Sequence, residues 1–285
     1  MASRYLVIQG LHVETHDLKE IAKLSGATRI ENIGNNAFRL HGYTGQDGVA
    51  EYCANAKLDF AFVPKPRKLS DFRLLVMDMD STLITIETID ELADLVGHKA
   101  EVAAVTAQAM RGEIEYDESL RRRVAVLKGL PESALDRLYT ERVRLSPGAE
   151  RMLEAVKNAG LKTLLVSGGF TQVTDKLRAR LGLDYARANT LGVENGRFTG
   201  ELVGRIVNAD VKREALLDAR DRIGATKDQI IAMGDGANDL KFMGEAGVTI
   251  AYHAKPVVRE KATYCFDYGG LDGLLNLYAS ERSPR

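Results

Sequence analysis

The chain has 285 residues, 45% of them hydrophobic and 28% charged, which is typical of a globular protein with one large domain or two smaller ones. Its 39 basic and 40 acidic residues give a formal net charge of −1, so no overall field attracts nucleic acid or an anionic membrane. The sequence has no signal-peptide pattern and no apolar run near the ~18 residues of a membrane helix. We therefore expect a cytoplasmic protein without a nucleic-acid or membrane partner.

The first seventy residues alternate strand and helix patterns in the order β-α-β-β-α-β. The strand-like runs are 4–10, 28–33, 37–43 and 59–63, the helical runs are 16–26 and 46–56, and a turn is predicted at 34–36. This order is typical of a ferredoxin-like α+β fold, and the unit resembles small regulatory modules of the ACT type that bind amino acids. We predict such a domain over residues 1–70, with a linker at 64–71 that contains two prolines and three basic residues.

From residue 72 onward the pattern predicts an α/β domain that extends to residue 285. Three short runs, at 72–78, 162–169 and 229–236, are apolar on both faces and end in polar or glycine-rich sequence. Such strands indicate a Rossmann-like parallel sheet that is covered on both sides, and ligands bind at the carboxyl ends of its strands.

Two insertions interrupt this α/β pattern. Between the first two strands, the stretch from Glu87 to about Arg144 has a helical pattern throughout, which predicts a helical cap at about 88–145 that acts as a lid. The second insertion has Asn195-Gly196 between alternating residues, which predicts a small hairpin at about 190–206.

The first of the three strands ends in two closely spaced carboxylates, Asp78 and Asp80. On an extended strand these side chains would share a face, where they repel each other unless a cation joins them or one keeps a proton. Mg²⁺, a hard cation that prefers oxygen ligands, meets the first need. The alternative is a turn or helix cap formed by Asp80 and the residues after it.

The second strand ends at Ser167 and Gly168, immediately before a helical run. A hydroxyl group next to exposed backbone N–H groups at the start of a helix forms a site that binds anions. The same sequence also occurs in ordinary turns, so this motif is weak when taken alone.

The third strand is followed by Asp235, Asn238 and Asp239 among glycines. Asp235 is a candidate to complete a metal site with Asp78, and Asp239 is a candidate to orient water bound to that metal. Lys212 precedes this strand at the start of a helical run. The alternatives are helix-capping roles for the acidic residues and a solvated position for the lysine.

Taken together, these motifs resemble those of the haloacid dehalogenase superfamily of phosphotransferases. In chain order they are Asp78-Met79-Asp80-Ser81-Thr82, Ser167, Lys212 and Gly234-Asp235-Gly236-Ala237-Asn238-Asp239. Longer segments within 72–280 are similar to the phosphoserine phosphatases of that superfamily, whereas the first seventy residues lie outside the resemblance.

The resemblance implies a role for each motif. Asp78 would be the nucleophile that forms an aspartyl-phosphate, and Asp80 would be the general acid and base. Mg²⁺ would be held by the Asp78 carboxylate, the Asp80 backbone carbonyl and Asp235. The phosphoryl group would be bound by Ser167, Gly168, Lys212 and Asn238.

The cap suggests which phosphate ester is bound. Arg123 falls on a helical stripe with Tyr116, Leu120 and Leu127, whereas Arg121 and Arg122 point away from it. An arginine on an apolar stripe needs a partner, either a substrate carboxylate or an ion pair within the cap.

Glu87 lies where the sheet meets the cap, as a candidate partner for an ammonium group or as a helix-capping residue. The resemblance places Glu87 on the amino group and Arg123 on the carboxylate of O-phosphoserine. It also implies that Met110 and Tyr116 exclude water from the substrate.

We therefore predict Mg²⁺-dependent hydrolysis of the small molecule O-phospho-L-serine, the last step of serine biosynthesis. One alternative keeps the chemistry but transfers phosphate to another amino-acid alcohol such as homoserine. A second alternative is an amino-acid sensor that acts through the N-terminal unit. A homodimer is compatible with the sequence but not required by it.

Overall fold

The computed structural model describes residues 4–34 and 36–278, which form two β-sheets flanked by helices. The strands are β1 (Tyr5–Gln9), β2 (Arg29–Gly34), β3 (Ala37–His41), β4 (Asp59–Val63), β5 (Leu74–Asp78), β6 (Lys162–Phe170), β7 (Tyr185–Glu194), β8 (Arg197–Val203), β9 (Ile230–Gly234), β10 (Val248–Tyr252) and β11 (Tyr264–Phe266). The helices are α1 (Thr15–Ser25), α2 (Val49–Ala56), α3 (Thr88–Leu95), α4 (Lys99–Met110), α5 (Tyr116–Ala125), α6 (Ser133–Glu141), α7 (Ala149–Asn158), α8 (Thr171–Leu181), α9 (Ala209–Ile223), α10 (Leu240–Met243), α11 (Pro256–Arg259) and α12 (Gly273–Asn276).

The N-terminal sheet is antiparallel, with strand order β2-β3-β1-β4. Together with α1 and α2 this is the predicted ferredoxin-like arrangement. Leu6 and Ile8 of β1 pack in a cluster with the two helices, whereas Tyr5 and Val7 pack with the larger core of the chain. Within the predicted turn at 34–36, Asn35 lies outside the described residues.

The second sheet has the order β11-β10-β9-β5-β6-β7-β8, and its neighbouring strands are parallel except for the β7–β8 pair. The predicted α/β fold class, with a Rossmann-like parallel sheet, is confirmed. The central strands β9, β5 and β6 are direct neighbours, so their carboxyl ends meet at one edge. Asp78 is aligned with Val166 there, which brings the first two motifs side by side.

The predicted hairpin is formed by β7 and β8, joined at Asn195-Gly196, both of which have positive φ. These are the residues that tolerate such backbone in a two-residue turn. The hairpin is less separate from the sheet than predicted, because β7 already begins at Tyr185, which pairs in parallel with Leu164 of β6. The element is therefore a sheet strand that continues outward into the hairpin.

Helices α3 to α6 lie in the stretch of about 88–145 that was predicted to be a helical cap, and α7 follows it before β6. Leu92 of α3, Leu120 of α5 and Leu138 of α6 are fully or almost fully buried and belong to the same apolar cluster as residues of the second sheet. None of the helices in the described part of the chain is both long and apolar enough to cross a bilayer.

The segment predicted as a linker is mostly exposed, but one buried side chain anchors it to the core. Leu69, within the predicted linker at 64–71, and Phe72, just after it, are buried in the same cluster as Tyr5. Asp59, at the start of β4, accepts hydrogen bonds from three consecutive backbone N–H groups, at residues 267–269. The N-terminal sheet is therefore joined to the second sheet by apolar contact and by hydrogen bonds.

Candidate active site

The site is built around Asp78, the last residue of β5. Its carboxylate is buried; Oδ1 accepts a hydrogen bond from the Met79 backbone N–H (2.7 Å), and Oδ2 lies 2.8 Å from Lys212 Nζ. Beyond Asp78 the backbone leaves the sheet in an irregular turn, Met79–Leu83, in which Ser81 has a φ of 54°. This left-handed backbone is uncommon for a residue other than glycine and lets the chain turn sharply towards the cap.

Lys212 lies in the first turns of α9 and is almost fully buried between two carboxylates. Its Nζ is 2.8 Å from Asp78 Oδ2 and 2.8 Å from Asp239 Oδ1. Burial alone would lower the pKa of Lys212, but Asp239 and Asp78 raise it above its ordinary value. The side chain is therefore a fixed ammonium in a dry site.

Asp239 is fully buried, and both of its carboxylate oxygens have partners. Oδ1 accepts from Lys212, and Oδ2 accepts from the backbone N–H groups of Asp235 (3.2 Å) and Gly236 (3.0 Å). A Cβ on Gly234 would lie 2.6 Å from that second oxygen, so the loop requires glycine there. These contacts hold the loop and the lysine, and the expectation that Asp239 also orients metal-bound water stays a prediction.

Asp80 lies in the turn after β5, and its two oxygens have different surroundings. Oδ1 accepts hydrogen bonds from the backbone N–H (3.1 Å) and the side-chain hydroxyl of Thr88. Oδ2 faces the end of β6, since a Cβ on Gly169 would lie 2.9 Å from it. Burial, and then the nearby Glu87 carboxylate, raises the pKa of Asp80 to about 7.

The end of β6 places Ser167 beside these carboxylates. The buried Ser167 hydroxyl accepts a hydrogen bond from the Gly169 N–H (2.8 Å), and the Gly168 carbonyl accepts one from Asn189 (2.8 Å). The Tyr116 hydroxyl lies so close to Gly168 that a side chain there would collide with it. The two glycines therefore allow α5 and Asp80 to approach the backbone closely.

Asp235 follows β9 and faces Asp78. The Thr82 hydroxyl donates to Asp235 Oδ1 (3.4 Å), and burial, followed by the charge of Asp239, raises the pKa of Asp235 to about 6. Carboxylate oxygens of Asp78, Asp235 and Asp239 lie within 4.8 Å of one another. With Asp80, four carboxylates face the Lys212 ammonium, and the excess of buried negative charge fits a divalent cation with oxygen ligands.

Glu87 precedes α3 and is exposed, and its side chain makes no capping bond to that helix. Instead, Glu87 Oε1 accepts a hydrogen bond from the Ser81 hydroxyl (2.8 Å), which holds the carboxylate beside the Asp80 turn. Asn238, the remaining predicted residue of the loop after β9, is half-buried next to Gly236.

Arg123 of α5 is half-buried, whereas Arg121 and Arg122 are exposed, as the helical stripe predicted. Within the described residues no salt bridge to Arg123 is found, and its buried Nε has no hydrogen-bond partner. Asp90 of α3 is nevertheless a charged neighbour, because the charge of Arg123 opposes the rise in the pKa of Asp90 that burial causes. A close ion pair within the cap is therefore not seen. Met110, predicted to exclude water, is 79% exposed.

Four residues that support the site were not identified from the sequence: Thr82, Thr88, Asn189 and Asn208. Asn189 joins the Gly168 carbonyl to the Val207 N–H, and Asn208 caps α9 by accepting from the N–H groups of Asp210 and Val211. An asparagine just before a helical run is a recognisable capping signal. Thr82 and Asn189 have partners that are distant in the sequence, and no local pattern reveals them. Thr88 contacts Asp80 only eight residues away, but it does so across an irregular turn that the sequence does not predict.

The sequence profile of haloacid dehalogenase-like hydrolases matches residues 75–244, and that of a domain of unknown function matches residues 6–47. The chain belongs to the haloacid dehalogenase-like hydrolase family.

Relatives within this hydrolase family support the narrower resemblance. The phosphoserine phosphatase of Polaromonas sp. is 56% identical over 74% of this chain and 91% of its own length. The phosphoserine phosphatase of Albidiferax ferrireducens is 53% identical over 76% of this chain and 93% of its own length. The predicted resemblance to phosphoserine phosphatases is confirmed.

Solved structures extend the comparison to the whole fold. A probable phosphoserine phosphatase from Vibrio cholerae superposes with a TM-score of 0.85 at 34% identity, covering 96% of this chain and 86% of that one. A family hydrolase from Salmonella enterica gives a TM-score of 0.89 at 32% identity, covering 99% of this chain and 100% of that one. A substrate-bound phosphoserine phosphatase superposes with a TM-score of 0.68 at 37% identity, covering 75% of this chain and 100% of that one.

Proposed function

We propose that this hydrolase converts O-phospho-L-serine and water into L-serine and phosphate, the last step of serine biosynthesis. The observation that carries the proposal is the 56% identity to a phosphoserine phosphatase over 91% of that relative. The geometry supports it, because a candidate nucleophile, acid, lysine and acidic cluster lie together at one edge of the sheet.

We propose Mg²⁺ as the cation, held by the carboxylates of Asp78 and Asp235 and by the backbone carbonyl of Asp80. Burial, followed by the charges of neighbouring carboxylates, raises the pKa values of Asp78, Asp80 and Asp235, so negative charge is costly in this site and a bound divalent ion would offset that cost. When bound, the ion would neutralise phosphoryl charge and align the ester with Asp78.

In the first step the Asp78 carboxylate attacks phosphorus, and the bond between phosphorus and the serine oxygen breaks. Asp80 gives its proton to the departing oxygen, so serine leaves as a neutral alcohol and an aspartyl-phosphate remains. Lys212 and the Ser167 hydroxyl stabilise the negative charge on the phosphoryl oxygens. Gly168 and Asn238 line the same subsite.

In the second step Asp80, now a carboxylate, takes a proton from water as the water oxygen attacks phosphorus. The bond to Asp78 breaks, inorganic phosphate forms, and Asp80 is again protonated. Burial and the nearby Glu87 carboxylate favour the protonated form of Asp80, which is the form that the first step requires.

Two side chains of the cap region select the amino-acid part of the ester. Glu87 is an exposed anion positioned by Ser81, and it suits an ammonium group. Arg123 has a buried nitrogen without a partner, and its guanidinium suits a carboxylate. Together with the phosphoryl subsite they match the three charged groups of phosphoserine.

We propose two domains, residues 1–70 and 72–285, the second with the cap at about 88–145 as its lid and the small hairpin at about 190–206. The four cap helices and their approach to the end of β6 through Tyr116 support the lid. The cytoplasmic location, a homodimer and the absence of a nucleic-acid partner stay predictions.

A screen of phosphate release across phosphorylated amino acids and sugars, with and without Mg²⁺, tests the proposal. We expect O-phospho-L-serine to be preferred and activity to require the metal. Preference for a sugar phosphate would refute the substrate. Homoserine as a competing acceptor separates hydrolysis from transfer, because transfer would yield phosphohomoserine in place of phosphate.

A further inference from the structure

Thr88, the first residue of α3, contacts Asp80 through two separate donors. Its backbone N–H (3.1 Å) and its side-chain hydroxyl both donate to Asp80 Oδ1, and the threonine side chain is completely buried. Asp80 Oδ2 lies on the other side of the carboxyl group and faces Gly169, whose backbone N–H donates a hydrogen bond to the Ser167 hydroxyl.

We propose that Thr88 is a positioning residue that determines which oxygen of Asp80 carries the catalytic proton. A protonated carboxyl group has one O–H, and its other oxygen only accepts hydrogen bonds. With two donors directed at Oδ1, a proton on that oxygen would occupy a position where one of them binds, so at least one donor would lose its acceptor. The proton is therefore held on Oδ2, which faces the phosphoryl subsite.

This assignment matters because of where the departing oxygen lies. The proposed function, on which the inference depends, places the ester between Asp78 and Ser167, so the acid must point towards the end of β6. A general acid must be within hydrogen-bond reach of the atom it protonates. Rotation of the Asp80 carboxyl would turn its proton towards α3, away from the ester.

A role in capping α3 does not account for both contacts. The Thr88 N–H is one of the unpaired donors of a helix N-terminus, and any acceptor would satisfy it. The hydroxyl adds a second donor to the same oxygen, which the helix itself does not require. The hydroxyl is therefore the part of Thr88 whose removal tests the inference.

The experiment compares two esters in Thr88→Val, which keeps the side-chain shape, and in Thr88→Ser, which keeps the hydroxyl. O-Phosphoserine releases a basic alkoxide that needs a proton, whereas p-nitrophenyl phosphate releases a stable phenolate that needs little help. We expect Thr88→Val to lower kcat/KM for O-phosphoserine by roughly 10- to 100-fold and for p-nitrophenyl phosphate by less than about threefold. Thr88→Ser should recover most of the loss.

The matched control is Thr85→Val, because Thr85 is exposed and its hydroxyl donates to the Arg144 carbonyl at the same junction with the cap. Equal losses for both esters in Thr88→Val, or no loss, would overturn the inference. Failure of the wild-type enzyme to hydrolyse O-phosphoserine would instead refute the proposed function. The Thr88 comparison would then use whichever alkyl phosphate the enzyme prefers, since the inference requires only a basic leaving group.

Discussion

Lys212 Nζ lies 2.8 Å from Asp78 Oδ2, and both side chains are buried at the carboxyl edge of the parallel sheet. The same nitrogen contacts Asp239, so one ammonium joins the candidate nucleophile to the loop after β9. This ammonium both supports the fold of the site and lies where phosphoryl charge would develop.

Replacing Lys212 with methionine should therefore affect stability and activity together. Removing one partner of a buried charged pair typically costs about 3–5 kcal/mol, because the remaining carboxylates are left uncompensated. We expect the free energy of unfolding, measured with urea, to fall by that amount and kcat to fall at least about a hundredfold. Lys241→Met, which removes an exposed lysine paired with Asp210, is the control. Normal kcat in folded Lys212→Met would contradict the assigned role.

The raised carboxyl pKa values predict how the metal-free protein responds to pH. The pKa values of Asp80 and Asp235 are about 7 and about 6, above their ordinary value of about 4. The folded state thus binds these protons more tightly than the unfolded chain does. The protonated carboxyl groups therefore contribute stability that is complete below about pH 4 and is lost as the pH rises through 6 and 7.

The measurement is Tm without metal from pH 5 to pH 8, followed by addition of Mg²⁺. We expect Tm to fall over this interval, and we expect Mg²⁺ to raise it more at pH 8 than at pH 5 because metal and protons compete for the carboxylates. Asp235→Asn should flatten the dependence. A metal-free Tm that increases towards pH 8 would show that burial does not raise the pKa values of Asp80 and Asp235.

Substrate selection by the cap is tested at Arg123. We expect Arg123→Lys to raise KM for O-phosphoserine by about 10-fold or more, because lysine cannot provide the bidentate geometry that suits a carboxylate. O-Phosphoethanolamine, which lacks the carboxylate, should be affected much less. Arg122→Lys, at an exposed position paired with Glu118, is the matched control. A uniform loss for both esters would indicate a structural role for Arg123.

The contact between the two sheets predicts a stability effect separate from catalysis. Asp59→Ala leaves the backbone N–H groups at 267–269 without their acceptor, at a cost of about 1–3 kcal/mol. Asp47→Ala, at an exposed position, is the control. We expect kcat to change by less than about twofold, because the hydrogen bonds of Asp59 go to residues 267–269 and not to the candidate active site.

Deletion of residues 1–70 should likewise lower the free energy of unfolding while leaving catalysis. A folded but inactive truncate would contradict this prediction.

Much of the architecture was predictable because it follows local patterns. The apolar runs that form β5, β6 and β9 read as buried parallel strands, and the polar residues after them had to meet at one edge of the sheet. The stripe on α5 also separated Arg123 from its exposed neighbours correctly.

The rest depends on contacts between distant residues. The packing of Leu69 could not be inferred, because prolines and basic residues nearby suggested a linker and only the neighbouring sheet provides its partners. The contact of the Thr88 hydroxyl with Asp80 could not be inferred either, because it depends on the irregular backbone at Ser81 that brings the chain back towards Asp80.

The central claim is that phosphorus becomes bonded to Asp78 while Asp80 transfers the proton. The most direct measurement is a crystal structure of the enzyme with Mg²⁺ and beryllofluoride, which mimics an acyl phosphate on a carboxylate. We predict beryllium bonded to Asp78, with its fluorides near Lys212 and Ser167. An adduct on Asp80 or Asp235 would contradict the account.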